Sequence, residues 1–156
     1  MSKFNSYYDF MEKYELFYKT VLDAEEEKLN ALLSNNLSRI EASLSAYQSY
    51  IKQTQQFEEK RIELCRFLGF KSMAFSDIIS DFSNQEKQKL ILQKNRLEAI
   101  VKSISYLNRK SLEISEIQLK FVEELAEKSP ENLKFYNSKG KSDSTLRNSN
   151  LLNKQA

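Results

Sequence analysis

Side chains suited to chemistry are scarce in this 156-residue chain, and their scarcity narrows what it can do. There is no histidine, which removes the commonest general base, metal ligand and triad member at the outset. Cys65 is the single cysteine, so neither an intrachain disulfide nor a thiolate metal cluster can form. Set between Leu64 and Arg66, it reads as a small buried hydrophobe. The run Glu25-Glu26-Glu27 is the densest set of carboxylates, yet consecutive helical residues point about 100° apart. Beside Lys28 the run reads as a solvated face. Gly69 and Gly140 are the only glycines and lie 71 positions apart, so there is no glycine-rich loop to cradle a phosphate. Arg61 falls on an apolar stripe with Glu58 three residues earlier, a spacing that lays the arginine stem over a core while the guanidinium meets the carboxylate. No enzymatic activity, cofactor, metal site or small-molecule substrate is expected from such a set.

The elements that must position these residues are helices. Two glycines, one proline and no tryptophan leave little turn chemistry for strands, while Leu, Glu, Lys, Gln, Ser and Asn fill long uninterrupted spans. The fold class expected is all-α, an elongated antiparallel three-helix bundle over residues 1–130 followed by a flexible tail over 131–156. A first helix is predicted over about residues 6–33, carried by Tyr7, Phe10, Met11, Tyr14, Phe17, Tyr18, Val21 and Leu22. Ser34-Asn35-Asn36 interrupts it, and Ser38 with Glu41 reads as a capping box that restarts a helix over about 38–68. Its stripe runs Leu37, Ile40, Leu44, Tyr47, Ile51, Thr54, Phe57, Arg61, Leu64 and Leu68. Gly69 suits a left-handed helix terminus, with Phe70 folding back onto the last turn.

The connection from Lys71 to Phe82 is too apolar for a solvated linker and is expected to cross one end of the bundle. Ser83 with Glu86 opens a third helix over about 84–128, striped by Leu90, Gln93, Leu97, Ile100, Ile104, Leu107, Ser111, Ile114, Gln118, Phe121 and Leu125. A second row, Val101, Leu112, Leu119 and Val122, lies off that stripe and is either core or groove. Ser129-Pro130 ends the helix. The polar remainder is expected to be mobile when free, with Leu146, Leu151 and Leu152 able to form a short helix against a partner.

The 24 basic and 22 acidic residues nearly cancel, so the overall charge gives no reason to expect nucleic acid as a partner. Charge is uneven locally: residues 9–28 hold seven acidic and three basic side chains, and residues 86–110 hold seven basic and two acidic. Nowhere do 18 apolar residues run together, and MSKFNSYYDFMEKYEL lacks the apolar core of a signal peptide. No membrane insertion is expected, and the expected location is cytoplasmic.

The segment E-x-x-R-x-x-L-x-x-x-L-G, here Glu58, Arg61, Leu64, Leu68 and Gly69, resembles the signature that closes the second helix in the FlgN family of flagellar export chaperones. Leu107-Asn108, with Ile114 at the later apolar place, resembles that family's L-N-x-x-N-x-x-L-I segment. Ser111 stands where the second asparagine is usual. Tyr136 and Gly140 match the Y-x-x-x-G element that follows the third helix. The resemblance implies a chaperone without enzymatic activity. It would hold the C-terminal helical segments of the hook-filament junction proteins FlgK and FlgL and deliver them to the type III export gate. Tyr136 and Gly140 are then the expected docking element for the gate protein FlhA.

A helix held in a groove needs an apolar floor and a polar rim. Leu119, Val122, Leu146, Leu151 and Leu152 are the expected client-binding residues. The alternative is a structural helical-bundle or coiled-coil adaptor that uses the same stripes to oligomerise. A nucleic-acid binder using Lys87, Lys89, Lys94, Arg96, Lys102, Arg109 and Lys110 ranks behind both, because these side chains spread around the helix and are interrupted by Glu98.

Overall fold

The computed structural model describes residues 1–128. They form three long helices and one short one, α1 (Lys3–Ser34), α2 (Leu37–Phe67), α3 (Phe75–Ile79) and α4 (Asn84–Lys128), with no strand among the described residues. None of these helices is long and apolar enough to cross a membrane. The tail expected over 131–156 lies outside the described residues.

The helix ends follow from local chemistry, with one departure from expectation. Ser2 caps α1 by accepting the Asn5 N–H at 3.1 Å. Between α1 and α2 there is a two-asparagine turn. Asn35 takes a left-handed φ of 53°, which asparagine tolerates better than most residues, and the Asn36 side chain accepts the Arg39 N–H at 3.2 Å. Because Asn36 already supplies the cap, α2 starts at Leu37 and the Ser38–Glu41 capping box is not used. At the other junction, the Glu86 carboxylate does reach back to the Ser83 N–H, at 3.1 Å.

Helix α2 stops on Gly69, whose φ is 77°. The Gly69 N–H donates to Arg66 O at 3.0 Å and the Phe70 N–H to Cys65 O at 3.1 Å, the paired bonds of a Schellman terminus. Phe70 is buried in one cluster with Cys65 of that last turn, and it also reaches beyond its own helix. Its ring meets Tyr7 and Phe82 edge-on, at 5.5 and 5.8 Å. The chain turns inward here because the end of the molecule is filled by aromatic and aliphatic side chains: Phe4, Tyr7, Met11 and Tyr14 from α1, Cys65 from α2, Ile78 and Ile79 from α3, and Leu90 from α4. The apolar 71–82 connection thus covers one end of the helices.

α1 is the central element. It packs along its length on both α2 and α4, whereas α2 and α4 do not pack closely on each other. Pairings fix the directions. Tyr14 meets Glu58, Phe17 meets Phe57 and Lys28 meets Tyr47, so α2 returns antiparallel to α1. Tyr8 meets Gln93, Glu15 meets Arg96, Lys28 meets Asn108 and Leu32 meets Gln118, so α4 runs parallel to α1. Two of these ties are glutamines on the α4 stripe, Gln93 and Gln118, which donate to the Tyr8 and Leu32 carbonyl oxygens at 3.1 and 2.9 Å. Gln118 therefore marks the level at which α1 ends, and the last ten residues of α4, about 15 Å of helix, run past it.

Candidate functional site

Halfway along the molecule the three long helices meet at a charged group. The Lys28 ammonium lies 3.0 Å from Glu25 Oε2, donates to Asn108 Oδ1 at 2.9 Å and sits 3.9 Å from the centre of the Tyr47 ring. Lys28 and Glu25 are both fully buried. This corrects the expectation that Glu25-Glu26-Glu27 and Lys28 form a solvated face: Glu25 and Lys28 point inward, while Glu26 and Glu27 are exposed. Burial lowers the Lys28 pKa from its ordinary value, with the neighbouring carboxylate opposing the shift. It raises that of Tyr47, helped by Glu25 beside the phenol. The Glu25 oxygens make no aligned hydrogen bond, nor does the buried Ser111 hydroxyl, so charge rather than geometry holds the carboxylate. Ser111, Ser115 and Ala31 are buried here as well. Their small side chains leave room for the longer Lys28 and Glu25 between α1 and α4.

A second polar group secures the covered end. Arg61 donates from Nε and Nη2 to the two Glu58 oxygens at 2.9 and 2.7 Å and from Nη1 to Met73 O at 2.6 Å, tying the α2–α3 connection to α2. Tyr14 adds a 2.9 Å bond to Glu58 Oε2. The Arg61 fork, followed by the Tyr14 bond, holds the Glu58 carboxyl below the usual range. Cys65 lies beside this group with its thiol pKa pushed up by burial, the state of an unreactive structural cysteine.

The Lys28 ammonium also shows how α2 and α4 are turned. Since it touches Tyr47 on one and Asn108 on the other, these two positions mark the flanks that α2 and α4 direct toward each other across α1. At 100° per residue, Ile40, Leu44 and Ile51 share the Tyr47 flank, and Val101, Leu112 and Leu119 share that of Asn108. These apolar residues are not sealed in: Ile51 is 42% and Val101 41% exposed, and the other four are half-buried or nearly so. The two rows form an open apolar seam whose floor is α1 and the Lys28 group. A shallow depression between α1 and α2 is lined by Leu16, Phe17, Thr20, Ala46, Ser49, Tyr50 and Gln53. It lies on the far flank of α2, is shorter and is mixed in polarity.

Of the expected client-binding residues, Leu119 sits half-buried at the end of the seam and Val122 lies exposed on the part of α4 that outruns α1. Phe121 and Leu125 are exposed on the same overhang. Leu146, Leu151 and Leu152, together with Tyr136 and Gly140, lie outside the described residues. The aromatic set of α1 is resolved as core, with Tyr7, Tyr14 and Phe17 buried and Phe10 half-buried against Tyr14 and Phe57. The uneven charge is resolved in part too. Arg96 of the basic α4 block pairs with Glu15 at 2.9 Å and Glu12 at 3.7 Å of the acidic α1 block, so the two blocks hold the helices together.

Ile51 and the Lys28 group enlarge the site beyond the residues named from sequence. A signal for Lys28 exists: Tyr14, Tyr18, Val21, Glu25, Lys28 and Leu32 follow at steps of four and three, so the apolar stripe of α1 runs straight through the two charges. Comparison of the chain with protein-family models, curated proteins and solved structures finds no match.

Proposed function

We propose that the chain is a non-enzymatic export chaperone of the FlgN type, which holds C-terminal helical segments of FlgK and FlgL in the α2–α4 seam and delivers them to the type III export gate through FlhA. In this proposal α1, α2 and α4 act as one elongated three-helix bundle, antiparallel between consecutive long helices, working in the cytoplasm.

One observation supports the reading above the others: two apolar rows on α2 and α4 face each other across α1 and remain partly exposed. An amphipathic helix laid there completes a four-helix arrangement, and helix-in-groove docking needs such a floor with a polar rim. Leu119 and Val122 extend the apolar surface toward the α4 overhang. The tail residues Leu146, Leu151 and Leu152 would cover the client from outside, and Tyr136 with Gly140 would be left to meet FlhA.

The test is binding of FlgK and FlgL C-terminal segments by calorimetry, to the full chain and to Ile51→Asp and Val101→Asp variants of unchanged melting temperature. Affinity should fall at least tenfold in each variant. Tyr136→Ala should bind both segments normally and lose FlhA binding. If neither segment binds the full chain, and it self-associates instead, the adaptor alternative replaces this proposal.

A further inference from the structure

The rims of the seam differ in charge. One row further round α4 from Val101 and Leu112 stand Lys102 and Arg109, seven residues apart and so on one edge, two turns from each other. Both are exposed. Three other cations of the basic block are committed to partners on the protein, Lys94 to Glu98, Arg96 to Glu12 and Glu15, and Lys110 to Glu113, while Lys87 and Lys89 stand in the first two turns of α4, away from this stretch. Among the described residues neither Lys102 nor Arg109 belongs to an ion pair. The Tyr106 ring lies 5.8 Å from the Arg109 guanidinium.

On the facing rim, α2 offers Gln48 and Gln55, also seven apart and exposed; the exposed Lys52 between them stands about 40–60° further round, away from the seam. Glu98 and Glu116 stand on the α4 edge before Lys102 and after Arg109, so the basic stretch covers two turns. The seam thus has an apolar floor, one cationic wall of defined length and one neutral amide wall.

We infer that the occupant of the α2–α4 seam is an amphipathic helix with an asymmetric polar border, carrying two carboxylates seven residues apart on the edge that meets Lys102 and Arg109 and neutral side chains on the edge that meets Gln48 and Gln55. This rests on the helix-docking reading above and adds the class of helix that is accepted. The spacing follows from the shared geometry, because two helices lying side by side match seven residues with seven. The asymmetry also sets direction. A helix entering the other way round puts its acidic edge against the glutamines and leaves Lys102 and Arg109 facing neutral side chains.

The experiment uses the full chain and three synthetic helical peptides with the same leucine stripe and either Glu, Gln or Lys at two positions seven apart on one edge. The Glu peptide should bind at least tenfold more tightly than the Lys peptide at low salt, with the Gln peptide between them. The ratio should shrink as salt rises, since rim charges are screened. A Lys102→Glu/Arg109→Glu variant should invert the order, and Val101→Asp should weaken all three. Equal affinity for the three peptides overturns the charge inference while leaving helix docking in place. No binding of any peptide, with FlgK and FlgL segments still bound, overturns the inference by placing the client elsewhere. No binding of peptides or segments removes the functional proposal itself. Self-association abolished by Val101→Asp overturns the inference in favour of a second copy of this chain in the seam.

Discussion

Lys28 of α1 and Asn108 of α4, 80 residues apart in sequence, are joined at 2.9 Å in the interior by a single ammonium–amide hydrogen bond. The same ammonium is the counter-charge of the fully buried Glu25. Removing it alone strands a carboxylate in an apolar setting, which costs about 3–5 kcal/mol. Lys28→Met should therefore lower the melting temperature sharply. Lys28→Met with Glu25→Leu should regain most or all of that loss, because a buried pair can be exchanged for hydrophobes at little cost. Chemical denaturation of the two variants checks this. A single variant as stable as the double would mean that Glu25 reaches water.

Arg61 holds the α2–α3 connection through Met73 O at 2.6 Å and Glu58 through a two-pronged contact. Lysine cannot reproduce that fork. Arg61→Lys should cost about 1–3 kcal/mol, and amide exchange should quicken first in residues 71–82. Uniformly faster exchange across all helices would assign Arg61 to the whole fold instead.

Leu90 and Phe121 lie on one stripe of one helix, yet only Leu90 is enclosed. Leu90→Ala should cost about 2–5 kcal/mol, whereas Phe121→Ala should stay within about 0.5 kcal/mol. Thermal melts of the two variants distinguish a helix that is core along its length from one whose end stands free.

At high pH two buried phenols and one half-buried phenol dominate. Tyr7, Tyr14 and Tyr47 all have pKa values raised above the ordinary 10.0, with burial as the leading cause. Unfolded chains release these protons near pH 10 and the folded chain keeps them, so stability falls as pH rises beyond that value. Lys28 acts in the other direction. Its lowered pKa lets the folded state give up a proton that the unfolded state holds until about 10.5, which adds stability in the window just below that pH. Three phenols outweigh one ammonium, so the melting temperature should drop above pH 10, with a shallower drop in Tyr47→Phe. Phenolate absorbance of these three should appear together with loss of helix; its appearance in the folded protein would contradict their burial.

The long helices and their ends were legible because their signals are local. Steps of three and four, bounded by cap and stop residues, place α2 and α4 within a residue or so, and Gly69 declares its left-handed terminus, whereas α1 begins three residues before its expected start. What escaped depends on three-dimensional partners. By charge alone Glu25 and Lys28 point to solvent, although their positions continue the stripe from Val21 to Leu32, because only Asn108 and Tyr47 make an inward charge tolerable. The contacts Phe70 makes beyond its own helix are not local signals, since Tyr7 and Phe82 are 63 and 12 positions away. The second row on α4 is visible in the sequence, but whether it is core or groove depends on how closely α2 approaches α4, which periodicity does not encode.

The central place of α1 orders events during synthesis. α1 and α2 are adjacent in sequence and can pair as a hairpin as soon as both have left the ribosome. The other face of α1 must wait for Gln93, Arg96, Asn108 and Gln118. At about 5–20 residues per second, more than fifty residues separate the end of α1 from the first of these, so several seconds pass with Glu15 and Lys28 still wet. Dehydration of the Glu25–Lys28 pair thus belongs to the docking of α4, the last long-range step. Substitutions that make this pair apolar should speed that step while leaving the earlier hairpin unchanged.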